Sequence, residues 1–178
     1  MRNITIVGFI FSILIFSVFS YAQEAEESII ELPSLNLEQK LDRAVGNMYA
    51  FVIAGIAYSK SLGKTPEDYG QFVGSFFAPS WEGAKGKGVS AFVIGMYING
   101  QSDKYFTMEI LEESETRVKG RWTGLDRIKG MSDVFGVSGD EFLIVWEKAW
   151  EVIADYLGLE LKQTRDEDWI VFTVEEKH

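Results

Sequence analysis

The N-terminal segment, residues 1–22, most constrains what this chain can fold into, because it decides which residues remain to build a domain. It combines a basic residue at Arg2, an uncharged apolar run over residues 4–19, and small residues at Ser20 and Ala22. These are the two positions that a signal peptidase recognises. We predict a signal peptide cleaved after Ala22, a secreted or periplasmic protein, and no membrane contact after cleavage. The alternative is an uncleaved anchor, since the run reaches the lower length limit of a spanning helix, roughly 17 residues.

Composition restricts how the domain is stabilised and what it binds. The 178-residue chain has no cysteine, so its stability must come from side-chain packing and not from disulfides. A chain of this length suits one domain with a single hydrophobic core. Its formal net charge of −10 argues against nucleic acid as a partner, because the phosphate backbone is bound by basic surfaces.

The histidine content excludes several classes of enzyme. The only histidine of the sequence is its last residue, His178, so no imidazole lies inside the fold for general-base catalysis or for ordinary zinc ligation. Mechanisms based on Cys–His or Ser–His–Asp are therefore excluded. Carboxylate chemistry, lysine-assisted hydroxyl nucleophiles and oxygen-ligated metals remain open. No motif indicates a cofactor or a metal, and we predict neither.

Apolar periodicity predicts where the domain begins. Residues 23–35 are acidic and lack periodicity, which predicts a flexible leader before a single domain over residues 36–178. Apolar residues at helical spacing predict a first helix over residues 37–62. Its section 44–59 carries no charge and is therefore expected to be a core helix, buried on several sides. Small residues four apart predict close approach of a neighbouring helix along one stripe: Gly46, Ala50 and Ala54.

The next segments are less uniform. Thr65 as N-cap and Pro66 at the first helical position predict a second helix that ends at residues 78–80. Its apolar face is predicted to comprise Tyr69, Phe72, Val73, Phe76 and Phe77. The glycine- and lysine-rich residues 81–88 do not satisfy the phosphate-loop pattern and are interpreted as a mobile surface loop. Residues 89–98 fit a helix or a strand, and we predict a third helix.

Two alternating runs, residues 105–111 and 116–123, predict a first hairpin. Because side chains alternate along a strand, one set is expected to face the core: Phe106, Met108, Ile110, Val118 and Trp122. The intervening basic residues of the second run are then expected to face away.

The last third of the chain completes the predicted fold. A capping box formed by Ser138 and Glu141 opens a long helix, and Gly158 ends it. Residues 159–164 and 169–175 follow as a closing hairpin. Helices, a hairpin, a long helix and a second hairpin in that order predict an α+β fold, with the helices packed on one face of an antiparallel sheet.

One candidate site is a concentration of basic residues in this acidic chain: Arg117, Lys119, Arg121, Arg127 and Lys129. Alternating basic side chains on one strand face present convergent donors that suit a carboxylate, sulfate or phosphate ligand. The alternative is a solvated strand face that pairs with Glu109 across the hairpin. We favour the alternative interpretation. Four of the five basic residues are kept as candidates for ligand binding: Arg117, Lys119, Arg121 and Arg127.

The last helix carries two further candidate features. Trp146 and Trp150 lie one helical turn apart and either line a hydrophobic pocket or fill the core, and core packing is the commoner role. Glu147, Glu151 and Asp155 place three carboxylates along one side of the same helix. These carboxylates suit acid–base chemistry or a cation, but the charged outer face of an amphipathic helix is the simpler interpretation.

These observations favour a binding protein over an enzyme. The leading hypothesis is an exported domain that binds a small apolar or anionic molecule between helices and sheet, without catalytic machinery. One alternative is a hydrolase that uses carboxylates of the last helix or of residues 123–138. The other is an interaction module that docks onto another envelope protein through the basic hairpin face.

Overall fold

The structure is a computed structural model, and it describes residues 33–124, 128 and 135–177. The chain divides after Asn36 into two units, and the described helices and strands belong to the second unit, from Leu37 onward. The predicted signal peptide, its cleavage site and most of the predicted leader lie outside the described residues.

The described part of the second unit contains helices followed by strands, a further helix and two more strands. The helices are α1 (Leu37–Ser61), α2 (Pro66–Phe77), α3 (Gly88–Gly100) and α4 (Gly139–Tyr156), with a 3₁₀ helix over Ala78–Ala84 between α2 and α3. The strands are β1 (Thr107–Glu113), β2 (Arg117–Thr123), β3 (Leu159–Asp166) and β4 (Trp169–Glu176). The predicted α+β class is confirmed, and the ambiguous residues 89–98 are helical. None of the helices described within residues 33–177 combines the length and hydropathy that a bilayer span requires.

The four strands form one antiparallel sheet in the order β1-β2-β4-β3. Strands β2 and β4 join the two hairpins, with Val118 opposite Val174 and Lys119 opposite Thr173. One face of the sheet is buried because alternate residues of β2 and β4 point to it: Val118, Gly120, Trp122, Ile170, Phe172 and Val174. Helices α3 and α4 pack on this buried face.

Local sequence signals account for the helix ends. The Thr65 hydroxyl accepts a hydrogen bond from the Asp68 N–H, and Ser138 caps α4 through the Glu141 N–H in the same way. In each capping box the acidic side chain accepts a hydrogen bond from the N-cap N–H in return. Gly158 follows α4 with a φ of 81°, which favours glycine and stops the helix.

Helix α2 packs on α4 through glycines and not through its phenylalanines. A Cβ atom at Gly70 would lie 2.8 Å from the Val145 carbonyl oxygen, and one at Gly74 would lie 2.8 Å from the Ala149 carbonyl oxygen. These two glycines, four residues apart, let the helix backbones approach closely. The predicted apolar face of α2 is therefore only partly correct, since three of its members are exposed: Phe72, Phe76 and Phe77.

The prediction that α1 is a core helix is wrong. Its buried residues are Val45, Ile53 and Ile56 alone among its 25 residues, and Leu37 is 83% exposed. The small-residue stripe is not packed either, because Ala50 and Ala54 are exposed and a Cβ at Gly46 would meet nothing within 4 Å. The physical reason is position: α1 contributes one narrow face to the domain, and an uncharged sequence does not by itself require burial.

Two smaller expectations also differ from the structure. Ile110 pairs with Gly120 but is 47% exposed, because β1 is an edge strand of the sheet. The register of β1 against β2 shifts after Ile110, and a β-bulge of this kind changes the face on which the following side chains lie, so that Glu112 lies on the same side as Glu109. Residues 81–84 belong to the 3₁₀ helix and not to a mobile loop, and Trp81 is partly buried against the core.

Candidate functional site

A cavity of about 420 Å³ lies between the helices and the buried face of the sheet. Side chains from α1, α2, the 3₁₀ helix, α3, α4, β1 and β2 line it. Apolar side chains dominate the lining, many of them aromatic, and four of the five tryptophans of the sequence contribute: Trp81, Trp122, Trp146 and Trp150. The structure thus places the two predicted residues of α4 on the cavity wall, together with two tryptophans from other elements.

Glycines opposite three aromatic side chains shape this wall. A Cβ at Gly95 would lie 2.3 Å from the Trp81 ring, and a Cβ at Gly100 would lie 2.4 Å from the Phe106 ring. Likewise, a Cβ at Gly55 of α1 would lie 2.1 Å from the Tyr69 hydroxyl oxygen. Each ring therefore lies directly on a helix backbone, so the positions of the aromatic side chains are set by the packing of the domain.

The aromatic rings also contact one another. Trp81 and Trp150 meet edge to face, with ring centroids 5.5 Å apart, and both contact the buried ring of Phe92. On another part of the wall the ring of Trp146 lies 6.2 Å from that of Phe142. Offset and edge-to-face contacts of this kind are favourable for aromatic pairs. These two groups of contacting rings present apolar area to the cavity.

Polar groups in the lining are few. Asp103 is 7% exposed, and its carboxylate accepts hydrogen bonds from the Tyr49 hydroxyl at 2.7 Å and from the Tyr105 N–H at 3.0 Å. Burial raises the pKa of the Tyr69 phenol, so this hydroxyl stays protonated at neutral pH. Among the described residues that line the cavity there is no lysine and no arginine.

Trp122 is the exceptional member of the lining. Its side chain is 9% exposed, and its indole Nε1 is buried without a hydrogen-bond partner among the described residues. Buried donors are nearly always paired in folded proteins, so this N–H is an exception within the described part of the chain.

The basic candidate residues lie on the other side of β2, and acidic side chains pair with them. Arg121 contacts Glu109 at 2.6 Å, Arg117 contacts Glu112 at 2.9 Å, and Lys119 contacts Glu112 at 3.3 Å. Hydrogen bonds from both partners hold the pKa of the Glu112 carboxyl below its usual range. The structure therefore places these three residues on a paired and partly exposed strand face. Arg127 and Lys129 lie outside the described residues.

The three carboxylates of α4 do not converge on a common point. Glu147 accepts a hydrogen bond from the Arg165 guanidinium at 2.8 Å, and Glu151 pairs with Lys148 at 3.2 Å. Asp155 pairs with Lys177. Across the part of the chain that the structure describes, no three histidine, cysteine, aspartate or glutamate side chains come together in a way that could hold a metal ion.

These features define the class of protein as an α+β domain with an aromatic-lined cavity between its helices and its sheet. No family model, no curated protein and no solved structure matches this chain. The cavity itself therefore carries the functional proposal.

Sequence reasoning missed Trp81, Tyr49 and Asp103 as cavity residues. Trp81 opens a segment whose glycines predict a loop, and the 3₁₀ helix that contains it depends on contacts with α3 and α4. A signal for this placement exists in the sequence, since Pro79 two residues earlier favours a helical turn. The hydrogen bond between Tyr49 and Asp103 joins residues 54 positions apart, and no local pattern reports such a pair.

Proposed function

We propose that this domain binds a small apolar molecule in the cavity between its helices and its sheet. The observation that carries the proposal is the aromatic-lined space of about 420 Å³. Ligand sites in proteins have roughly this size, about 300–1,000 Å³, and combine apolar walls with a few polar groups that fix orientation. The four tryptophans of the wall supply much of the apolar area, and the Tyr49–Asp103 pair and Asn99 supply polar groups.

Charge supports an apolar and not an anionic ligand. The described part of the lining contributes no lysine or arginine side chain that could pair with an anion. The basic residues that suggested an anionic ligand, Arg117, Lys119 and Arg121, lie on the face of the sheet away from the cavity. Each has an acidic partner on β1 there. An anion would have to displace these carboxylates.

The binding proposal is tested with the neutral fluorescent probe N-phenyl-1-naphthylamine, whose emission rises in apolar surroundings. We expect saturable binding to the wild-type protein. Val52 lines the cavity from α1, and Val52→Trp should weaken binding at least tenfold by filling the space. Ala54→Trp adds the same side chain at an exposed position of α1 and should leave the affinity unchanged. Equal binding by all three proteins would contradict the proposal.

We also propose that the domain acts outside the cytoplasm, on the basis of the sequence of residues 1–22. When a bacterial host exports the full-length protein, mass spectrometry under denaturing conditions should give the mass of a chain that begins at Gln23. The mass of a chain that begins at Met1 would contradict this part of the proposal.

No specific feature of the site favours the hydrolase alternative or the docking alternative. Glu147 and Glu151 are each engaged by a neighbouring base, and the basic strand face is engaged by Glu109 and Glu112. Loss of a detectable hydrolase turnover in the Glu147→Gln or Glu151→Gln protein would favour the hydrolase over the binding proposal.

A further inference from the structure

We propose that α1 and α2 form a docking surface for a second copy of this chain, which makes the protein a two-fold symmetric dimer. The surface consists of exposed apolar side chains on and next to the two helices, and we call it the helical patch: Phe51, Tyr58, Leu62, Phe72, Phe76 and Phe77. The proposal goes beyond ligand binding, because it concerns the outer surface of the two helices and requires no ligand in the cavity.

The α1 side of the helical patch is a stripe of apolar side chains at helical spacing. Phe51 is 78% exposed, Tyr58 is 67% exposed, and Leu62, directly after α1, is 61% exposed. Gly55 lies on the same stripe, since residues three and four apart are neighbours on a helix surface. No charged residue occurs over residues 44–59. This face of α1 is therefore apolar, uncharged and open to solvent.

The α2 side of the helical patch is a row of contacting rings. Phe72 lies between Tyr69 and Phe76, with ring centroids 6.4 Å and 6.3 Å away. Phe76 in turn meets Phe77, which also lines the cavity, edge to face at 5.3 Å. Because α2 packs on α4 through its glycines, these phenylalanines remain exposed. Residues 69–77 carry no charge.

Tyr69 joins the two sides into one surface. A Cβ at Gly55 would overlap the Tyr69 hydroxyl group, so α2 contacts α1 on the α1 stripe itself. Phe51 and Tyr58 flank this contact, about one helical turn to either side of Gly55. The exposed side chains of the two helices therefore form a continuous apolar surface.

The area of the helical patch is close to what a stable protein interface requires. Five of its six side chains are aromatic, and each residue of the patch is 51–78% exposed. With roughly 150–250 Å² for an aromatic side chain, the patch leaves roughly 700 Å² of apolar surface in contact with water. The largest apolar patch of a typical monomer covers about 300–600 Å². A stable interface buries about 800 Å² on each partner.

Charge favours a second copy of the chain over a membrane as the occupant. A two-fold axis brings the same surface of both copies together, and the uncharged residues 44–59 and 69–77 place no like charges across that axis. Helices that lie on membranes carry many lysines and arginines on their polar face. Here α2 begins with Glu67 and Asp68, and the formal net charge of the chain is −10.

Sedimentation velocity of the protein purified from an exporting bacterial host tests the dimer. We expect twice the mass of the chain and a dissociation constant in the micromolar range or below. The double variant Phe72→Glu/Phe76→Glu should raise this constant at least about a hundredfold, because it places four charges in the interface. Ile98→Glu is the matched control, since Ile98 is an equally exposed apolar residue on α3, and it should leave the constant unchanged.

The outcomes separate this proposal from the proposed function. Phe72 and Phe76 do not line the cavity, so the double variant should still bind N-phenyl-1-naphthylamine. A wild-type protein that binds this probe and stays monomeric would overturn the dimer alone, whereas a dimer that does not bind it would overturn the proposed function alone. A dimer equally stable in the double variant would overturn the assignment of the interface. A monomer that sediments with phosphatidylcholine vesicles would overturn the dimer in favour of a membrane.

Cross-linking keeps the proposal testable should the double variant fail to fold. The chain has no cysteine, so a single introduced cysteine reacts at a known place. Phe51→Cys, Tyr58→Cys and Phe72→Cys are each treated with a short bismaleimide, and at least one should give a covalent dimer. Ile98→Cys is the control and should not. Absence of a covalent dimer in all three variants would overturn the proposal.

Discussion

The side chains on the two sides of β2 differ in whether they are available to contact a ligand. On the outer side Arg117, Lys119 and Arg121 all have acidic partners within the hairpin. On the inner side Trp122 lines a cavity and holds a buried N–H that has no acceptor among the described residues. The comparison teaches that a cluster of charge is a poor indicator of binding when its partners are nearby on the same sheet. A cavity with apolar walls is a better indicator.

The difference follows from strand geometry. Side chains of β2 alternate between the faces, so the odd-numbered bases meet Glu109 and Glu112 of β1, and the even-numbered residues meet the helices. Exposed ion pairs on the outer side contribute little to stability. The inner side carries the packing of the domain, so substitutions there should have the larger effects.

The largest expected effect is on stability, at Gly120 on the inner side of β2. A Cβ there would lie 2.6 Å from the Phe172 ring and 2.7 Å from the Glu109 carbonyl oxygen. Gly120→Val should lower the free energy of unfolding by about 3 kcal/mol, as overpacking in a core does. Lys119→Val, the neighbour on the outer side, should change it by less than about 1 kcal/mol. If urea titrations gave equal losses of unfolding free energy for the two variants, the proposed difference between the two sides of β2 would be wrong.

A second prediction concerns the cavity wall. Gly95→Ala places a methyl group where the Trp81 ring lies, with 2.3 Å between its Cβ and that ring, so the ring must move. We expect a loss of roughly 1–2 kcal/mol in unfolding free energy and weaker binding of N-phenyl-1-naphthylamine. Gly83→Ala is the control, because a Cβ at Gly83 meets nothing within 4 Å. Unchanged probe binding by Gly95→Ala would show that Trp81 does not shape the cavity.

A third prediction sharpens the comparison with an ion pair that joins α1 to α4. Lys60 Nζ lies 2.5 Å from Glu141 Oε1 and also donates to the Gly136 carbonyl at 2.7 Å. The Lys60 hydrogen bond, followed by that of the Ser138 N–H, holds the pKa of the Glu141 carboxyl below its usual range. A lowered pKa in the folded state stabilises the protein above the unfolded-state pKa, about 4.3, and this contribution disappears as the pH falls through the folded-state value.

Lys60→Met should therefore cost up to about 1 kcal/mol at pH 7 and less at pH 3, because the stabilisation that comes from the lowered Glu141 pKa decreases as the pH falls below the unfolded-state pKa. Urea titrations at both pH values measure the difference. Lys64→Met, which changes an exposed lysine just beyond α1, is the control and should show no such pH dependence. A cost for Lys60→Met that is equal at the two pH values would contradict the role given to Glu141.

The smallest expected effect is on ligand binding by the outer side of β2. Replacing Arg117, Lys119 and Arg121 together by glutamine should leave the affinity for N-phenyl-1-naphthylamine within about twofold of wild type, because these residues do not line the cavity. Isothermal titration with inorganic phosphate should detect no binding to either protein. Phosphate binding that disappears in the triple variant would restore the anion-site interpretation of the basic residues.

The sequence predicted the parts of the fold that local signals determine. The capping boxes at Thr65 and Ser138, the stop at Gly158 and both hairpins are local in sequence, and all are present in the structure. The exposure of α1 and the bulge in β1 were not predicted, because burial depends on which elements pack against which. Apolar content does not report that arrangement.

The candidate site was predictable only in part. The helical spacing of Trp146 and Trp150 indicated an aromatic stripe, and the structure places both on the cavity wall. The spacing could not separate a pocket from a packed core, because both require the same residues. The unpaired N–H of Trp122 is a property of tertiary contacts that no sequence pattern reveals.

The most direct test of the central claim is the nuclear magnetic resonance spectrum of the five tryptophan indole N–H groups. We predict that N-phenyl-1-naphthylamine shifts the indole resonances of Trp146 and Trp150, whose side chains line the cavity. The Trp169 resonance should not move, since Trp169 does not line the cavity. Spectra in which the probe moves none of the indole resonances, or moves that of Trp169 alone, would contradict the account.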